Sequence, residues 1–262
     1  MPDAERSLDP QRIPPPLDYP FAAAIDDGLL LDNRVAPLTL APGGAVGAAI
    51  VDDGTGGVAL DDLLRGRGLA PCQRRVLVVA VGSNAAPEVM LRKFTGRSVS
   101  TVVPLIRCRV RGIGVGFSAH VSKQGFVAAT PFADPGGEQV LIGSLLDDDQ
   151  LGALDSTEPN YVRLRLDGAA YPLTILGSGE RPAAWSVYDS IHGVLTIDDE
   201  PVRLIPQVDL HARLRAVESV AAIAGLGADA VAALASLQQE PVRDALKAHW
   251  RDGGHARPSG LR

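Results

Sequence analysis

The sequence has few of the features that mark disulfide-stabilised, nucleic-acid-binding or zinc-binding proteins. It contains 2 cysteines in 262 residues, Cys72 and Cys108. Two are too few for a disulfide framework or a zinc site, so we expect both to be reduced and structural. It also has no run of lysine and arginine, and its formal net charge is -6. Nucleic acid and an anionic membrane are therefore not expected as main partners.

Long apolar runs and a leader pattern are also missing. No apolar run approaches the roughly 18 residues that a membrane span needs. Residues 1–8 carry charges of both signs, whereas a leader is basic and then apolar. We therefore expect a cytoplasmic protein. The hydrophobic content of 46% is enough for one large core, or for a medium core with appendages.

The sequence pattern divides the chain into three parts. Residues 1–73 are rich in proline, glycine, alanine and aspartate, yet their apolar patches predict an N-terminal extension that packs on the core. Residues 74–206 alternate between apolar and polar positions and predict short strands. Residues 207–262 have helical periodicity and predict a C-terminal helical appendage. The predicted strands cover 99–103, 109–119, 126–130, 140–146, 161–166, 171–176 and 184–189.

Within the C-terminal part, we expect one helix over 209–224 with Asp209 as its N-cap. Two more helices are predicted over 228–237 and 241–250, and residues 255–262 are expected to be frayed.

Three glycines point to a strongly curved sheet. Gly112, Gly114 and Gly116 lie on one face of the predicted 109–119 strand, where they permit sharp coiling or a close backbone approach. Closing a small barrel requires such curvature and leaves few exposed edges. The sequence therefore predicts an α+β fold, in which a small mixed closed β-barrel is flanked by short helices.

The most informative single stretch is a buried strand that ends in small and polar residues. The apolar run over 76–81 suits a strand buried on both faces. Gly82 can adopt a positive φ, Ser83 and Asn84 bond locally, and Pro87 suits the first turn of a short helix. Free N–H groups in such a turn can hold a carbonyl, carboxylate or phosphate oxygen.

That stretch alone is weak evidence, because an ordinary strand-to-helix turn has the same pattern. A dinucleotide-binding fold fits poorly, since Gly82, Ser83 and Asn84 lack the further glycines of the G-x-G-x-x-G motif.

A second stretch, over 141–166, combines a strand, an acid-capped helix and a strand that begins with Tyr161. Leu154, Asp155 and Glu158 form an LD..E pattern between them, and the AVGSN sequence at 80–84 lies about 75 residues upstream of it. With the strand over 125–130, these motifs resemble the γ-glutamylcyclotransferase-like (AIG2-like) family over roughly residues 74–197.

The resemblance implies an enzyme in which the α-amine of a γ-glutamyl group attacks its own γ-carbonyl and releases 5-oxoproline and an amine. Glu158 would be the general base and acid, since burial makes a carboxylate a better proton acceptor. Gly82, Ser83 and Asn84 would bind the substrate, together with the two side chains Tyr161 and Ser118. No metal or organic cofactor is implied, and the partner would be a small-molecule γ-glutamyl compound, with a homodimer left open.

Each of these assignments has an alternative. Glu158 could be an exposed acid at a helix C-terminus, and Tyr161 could merely cap the sheet. Ser118 and His120 could face the pocket, but a loop histidine is more often polar surface. Asp155 fits a helix or turn residue better than a second catalyst, and the three residues Arg163, Trp185 and Tyr188 could belong to the pocket, the core or the surface.

Three departures from the family pattern keep another class of protein open. Val81, Ala85 and Pro159 stand where the family usually carries tyrosine, leucine and glycine. The acid and the amides remain, so the resemblance implies an altered amine partner rather than lost chemistry. The alternative is a non-catalytic binding or scaffold protein that retains the fold.

Overall fold

A computed structural model describes residues 7–24, 26–52, 54, 56–226 and 229–262. Within these residues the chain forms thirteen strands and seven α-helices. The strands are β1 (Gly28–Leu31), β2 (Arg34–Thr39), β3 (Ile50–Val51), β4 (Val58–Ala59), β5 (Val76–Ala80), β6 (Val103–Val121), β7 (Val127–Leu146), β8 (Tyr161–Asp167), β9 (Leu173–Ile175), β10 (Ala184–Ser190), β11 (Val194–Ile197), β12 (Glu200–Pro201) and β13 (Ala256–Arg257). The helices are α1 (Leu60–Gly66), α2 (Pro87–Thr95), α3 (Asp148–Asp155), α4 (Gln207–Arg215), α5 (Glu218–Ala224), α6 (Ala230–Leu237) and α7 (Glu240–Asp252).

One sheet runs through the whole α+β fold. Its main path has the order β4-β3-β2-β1-β6-β7-β5-β10-β8, while β9 and β11 pair with β6, and β12 and β13 pair with β11. The pairing of β5 with β10 is parallel, and the other ladders of this path are antiparallel. The sheet is therefore mixed, as the sequence predicts.

The hairpin of β6 and β7 is the longest element, with strands of 19 and 20 residues. Its register shifts twice, between Arg111 and Ile113 and again between Phe117 and Val121. At the first shift Gly112 has φ +80, which glycine tolerates and most residues do not. Such irregularities bend and coil a strand, so one long ladder replaces several predicted short strands.

The predicted closed barrel is not confirmed. Closure requires the two ends of the strand order to pair, whereas the ladders among the described residues do not join β4 to β8. The curvature that the glycines predict is present as bulges in the β6–β7 hairpin, and it coils a sheet that stays open.

The N-terminal part contributes strands as well as covering segments. β1 pairs with the start of β6, and β2 to β4 continue the sheet outward from it. Leu29, Leu31 and Leu38 belong to the core that also contains Trp185 and Val187 from β10. These residues join the same sheet as the central part, while the three-part domain division stays a prediction.

The C-terminal helices differ from their predicted bounds. The single helix predicted over 209–224 is two helices, α4 and α5, and α4 begins at Gln207 rather than at an Asp209 cap. Gln207 is fully buried and its amide bonds both the N–H and the C=O of Val127, each at 3.0 Å. This tertiary contact starts the helix two residues earlier than the local pattern indicates.

The prediction that residues 255–262 fray is wrong. β13 pairs with β11, and Leu261 is buried in the main core. The guanidinium of Arg262 also donates to the buried carboxylate of Asp189 at 2.7 Å. Backbone pairing, apolar burial and an ion pair together hold this end of the chain.

The two cysteines agree with the expectation that both are reduced and structural. Cys72 and Cys108 are free and buried, and burial raises the pKa of each thiol to about 12.

Among the described residues no helix is both long and apolar enough to cross a membrane. The cytoplasmic location stays a prediction.

The close packing at Gly114 supplies a test of the fold. A Cβ at Gly114 would lie 2.4 Å from the ring of Phe132, its partner on β7. We expect Gly114→Ala to lower the free energy of unfolding by about 1–3 kcal/mol, because the buried ring has to move. Urea unfolding followed by circular dichroism measures the change.

Gly152 in α3 is the matched control, because a Cβ there meets nothing within 4 Å. Gly152→Ala should raise stability by about 0.5–1 kcal/mol, since alanine favours the helix. Equal effects of the two substitutions would contradict the predicted close approach of the strands.

Candidate active site

The loop after β5 offers unpaired backbone N–H groups. Ser83, Asn84 and Ala85 form one 3-10 turn, and α2 begins at Pro87 as the sequence predicts. The N–H groups of Gly82, Ser83 and Asn84 make no backbone hydrogen bond within the described part of the chain. The first amides of a helical turn have no partner inside it, so they are left for side chains or a ligand.

Gly82 is required for space rather than for an unusual backbone angle. Its φ is -144, so the positive φ that the sequence suggests is wrong. A Cβ on Gly82 would lie 2.4 Å from the hydroxyl oxygen of Tyr19 and 3.2 Å from Cβ of Ala129. The turn can therefore approach β7 and the N-terminal segment only because this residue has no side chain.

Glu158 lies in the turn that follows α3. Its N–H bonds the C=O of Asp155 at 3.1 Å, and its own C=O accepts from Tyr161 at 3.0 Å. Only 12% of its side chain is exposed. Glu158 is thus a nearly buried carboxylate and not the exposed acid of the alternative interpretation.

The carboxylate of Glu158 is held by two groups from the β5–α2 region. Asn84 Nδ2 donates to Glu158 Oε1 at 3.0 Å, and Lys93 Nζ lies 2.5 Å from the same oxygen. Lys93 also donates to Asn84 Oδ1 at 2.7 Å, which completes a triangle of three side chains. Glu158 Oε2 has no hydrogen-bond partner among the described residues, so one carboxylate oxygen stays available.

A cavity of about 220 Å³ brings these groups together. It is lined by the 82–84 turn, Lys93, Glu158 and Tyr161, with Tyr19 and His120 on further walls. Most pockets for drug-sized ligands have roughly 300–1,000 Å³. The size therefore suits a ligand about as large as an amino acid.

Two of the predicted binding residues are engaged with protein groups. The hydroxyl of Tyr161 lines the cavity but donates to the C=O of Ala129 at 2.9 Å. Burial is the main cause that raises the pKa of Tyr161 well above its ordinary value, so the phenol stays protonated. Ser118 is fully buried, and it does not line the cavity. The substrate-binding roles of both residues stay predictions.

Ser118 instead supports His120, which does line the cavity. Ser118 Oγ lies 2.6 Å from His120 Nδ1 and 2.6 Å from Ser190 Oγ. The N–H of His192 donates to Ser190 Oγ at 3.0 Å, so a chain of hydrogen bonds links the imidazole of His120 to the backbone that follows β10.

The remaining candidates from the sequence have structural contacts. Asp155 accepts from the Tyr188 hydroxyl at 2.6 Å and from Arg163 at 3.0 and 3.1 Å, which links α3 to β8 and β10. Burial acts to raise the pKa of Asp155, but these hydrogen bonds outweigh it and the pKa is lowered. Trp185 is a core residue, and of this group Tyr188 alone lines the cavity.

Sequence reasoning missed Lys93 and Tyr19. Lys93 follows Val89 by one helical turn, so a cavity-facing position of Val89 implies the same for Lys93. That spacing is in the sequence, but the cavity-facing position of Val89 is known only from the structure. No sequence signal placed Tyr19 at the cavity, because it lies more than 60 residues before the 82–84 turn, in a proline-rich segment without periodicity.

Comparisons with known proteins concern the fold alone. No protein-family model matches the chain, and no curated protein matches it. A solved structure named gamma-glutamyl cyclotransferase is 19% identical, with a TM-score of 0.33, and the match covers 44% of this chain and 66% of that one. The chain thus spans slightly less than two thirds of that structure.

Two further solved structures are similar at the same low level. An Arabidopsis thaliana protein is 16% identical with a TM-score of 0.37, over 58% of this chain and 89% of its own. An uncharacterized protein from Homo sapiens is 16% identical with a TM-score of 0.35, over 66% of this chain and 99% of its own. Any function of this chain therefore rests on the geometry of the cavity.

The Lys93–Glu158 pair predicts a strong energetic coupling. We expect a double-mutant cycle of Lys93→Met and Glu158→Gln to give a coupling energy of about 1–3 kcal/mol, because removing one partner leaves the other charge nearly buried and unpaired. Urea unfolding of the wild type, both single variants and the double variant measures it.

The exposed pair Lys247 and Asp244 is the control, at 3.2 Å with side chains 41% and 62% exposed. Its cycle, with Lys247→Met and Asp244→Asn, should give about 0–1 kcal/mol. The same coupling in both cycles would count against a buried pair at Glu158.

His120 predicts a loss of stability in acid. Burial first, and then the neighbouring His192 and Lys247, lower the pKa of His120 from 6.5 to about 3. Between these values the unfolded chain binds a proton that the folded chain does not. The contribution of neutral His120 to the free energy of unfolding is therefore complete above pH 6.5. It is lost as the pH falls toward about 3, by up to about 1.4 kcal/mol per pH unit.

His120→Asn keeps a hydrogen-bond partner for Ser118 but removes the titratable imidazole. We expect its unfolding free energy to fall less steeply than that of the wild type as the pH drops below 6.5. Urea unfolding over that window measures both slopes. Identical slopes would show that His120 is not a buried neutral imidazole.

Proposed function

We propose that the protein is a γ-glutamylcyclotransferase-like enzyme. It would carry out an intramolecular acyl transfer on a γ-glutamyl amine or peptide, releasing 5-oxoproline and the free amine. The observation that carries this proposal is the nearly buried Glu158, which has a free Oε2 and lines one small cavity together with the 82–84 turn. Within the described residues, the amides of Gly82 and Asn84 in this turn have no partner. An acid and oxyanion donors around one reacting carbonyl are what the reaction needs.

In the proposed reaction, the two proton transfers belong to Glu158. Oε2 takes a proton from the substrate ammonium, and the freed amine attacks the γ-carbonyl carbon. The carbonyl oxygen gains negative charge and accepts hydrogen bonds from the site. When the C–N bond breaks, Glu158 gives this proton to the departing nitrogen. It then takes the second proton that the ring nitrogen must lose and passes it to the freed amine, which leaves as an ammonium, so the carboxylate ends as it began.

Lys93 and Asn84 would hold Glu158 throughout these steps. Both bind Oε1, so Oε2 is left for proton transfer and the carboxylate cannot rotate freely. The nucleophile and the electrophile are parts of one substrate, so the enzyme has mainly to select a folded conformer. A cavity of about 220 Å³ supports this role, because it confines a glutamyl-sized group.

A second candidate is a binding or scaffold protein that retains the fold without the chemistry. The same triangle favours it, since Glu158 Oε1 already has two protein partners. If the Lys93 ammonium keeps that place when a ligand is bound, a substrate ammonium gains little from the acid. The two functions differ in turnover, not in ligand binding.

The deciding experiment is a screen of γ-glutamyl compounds for 5-oxoproline release. We expect the wild type to turn over at least one of them, and Glu158→Gln to abolish that turnover, because an amide cannot accept the proton. Ser83→Ala should weaken turnover less, since the backbone donors remain.

Glu180→Gln is the matched control, because Glu180 is exposed and outside the cavity. It should have wild-type activity. Full activity of Glu158→Gln on any substrate found would refute the mechanism. No turnover across a broad panel would refute the enzyme and favour the binding protein.

A further inference from the structure

Tyr19 reaches the cavity from the N-terminal segment, far outside the family resemblance. It follows the short 3-10 turn Pro16–Asp18 and is 3% exposed. Its ring stacks on Phe126, with centroids 4.2 Å apart and planes 13° apart, while Phe21 packs edge-on at 5.3 Å. An aromatic stack of this kind fixes where the hydroxyl points.

The hydroxyl oxygen of Tyr19 lies where the 82–84 turn and β7 meet. It accepts the N–H of Ala129 at 2.7 Å, and the backbone amide of Ser83 also faces it. The missing side chain of Gly82 makes room for it, since a Cβ there would be 2.4 Å away. The oxygen therefore has one protein donor from β7 and one from the 82–84 turn.

The hydroxyl proton of Tyr19 has no acceptor among the described residues. A phenol that accepts two N–H groups still carries one donor, and a buried donor without a partner is costly. Tyr19 lines the same cavity as Glu158, whose charge acts on the phenol. The free proton is thus available to a ligand oxygen beside the acid.

We propose that Tyr19 is a catalytic residue of the reaction assigned above, donating its hydroxyl proton in a hydrogen bond to the reacting carbonyl oxygen. This inference rests on the proposed function. The Ser83 amide would then act through the phenol rather than directly on the substrate. As Glu158 gains a proton and becomes neutral, negative charge appears on the carbonyl oxygen, where the polarised hydroxyl stabilises it.

The protonation state of Tyr19 agrees with a donor role. Burial is the main cause that raises the pKa of Tyr19 above its ordinary value, so the hydroxyl keeps its proton at neutral pH. The N-terminal segment becomes part of the site rather than a cover, because it supplies one of the reacting groups.

The first test is kinetic and uses Tyr19→Phe, which keeps the ring and its stacking but removes the donor. We expect kcat to fall about 100-fold with KM changed less than about threefold, because the lost interaction forms mainly in the transition state. Tyr171→Phe is the control, since Tyr171 lies outside the cavity, and it should keep wild-type kinetics.

The second test detects contact with a ligand without requiring turnover. All 4 tyrosines are replaced by 3-fluorotyrosine, and the ¹⁹F resonances are followed as 5-oxoproline is added. The resonance that is missing in Tyr19→Phe belongs to Tyr19. We expect it to shift on binding while the Tyr171 resonance does not, in both the wild type and Glu158→Gln.

The outcomes separate the two proposals. Turnover with unchanged kcat in Tyr19→Phe, or a raised KM alone, overturns the role of Tyr19 and leaves the enzyme intact. A shifted Tyr19 resonance without turnover of any γ-glutamyl compound overturns the enzyme and supports ligand contact by Tyr19. A Tyr19 resonance that does not shift with 5-oxoproline overturns the inference. Where Tyr19→Phe fails to fold, the Tyr19 resonance is the one left after Tyr161→Phe, Tyr171→Phe and Tyr188→Phe have assigned the others.

Discussion

The burial of one carboxylate, Glu158, constrains the arrangement of the elements around the cavity. A charge removed from water must be balanced by a partner charge and by hydrogen bonds, or the fold loses several kcal/mol. Lys93 on α2 and Asn84 in the 82–84 turn supply both for Glu158. The end of α3 is thereby tied to the β5–α2 connection, and the apolar packing of Phe94 and Leu154 in one cluster makes the same link.

A second set of contacts consists of hydrogen bonds to the backbone at the start of β7. The N–H of Ala129 binds the Tyr19 hydroxyl, while its C=O accepts from Tyr161. Two residues earlier, Val127 is bonded on both sides by Gln207 of α4. One strand thus positions the N-terminal segment, the β8 tyrosine and the C-terminal helices, because its backbone groups are not all used in the sheet.

Local sequence patterns were sufficient where short-range physics decides the structure. The helix that the sequence predicts after an acidic start is present as α3, where Asp147 and Gln150 bond each other's backbone in a capping box. α2 begins at the predicted Pro87. The two strands predicted over 126–130 and 140–146 are parts of one strand, β7, because tertiary pairing continues through a bulge at 134–137 opposite Gly112.

The sequence by itself determined the buried strand β5, the turn after it, and the acid after α3, because each depends on neighbours within a few residues. It also indicated that residues 74–206 are rich in strands, but it did not predict the four strands β1 to β4 that precede them. The pairing of Glu158 with Lys93 and the approach of Tyr19 to Gly82 were decided by the tertiary structure. These contacts join residues that are 65 and 63 positions apart in the sequence. Their energy comes from burial and hydrogen bonds that exist only once the sheet brings the segments together.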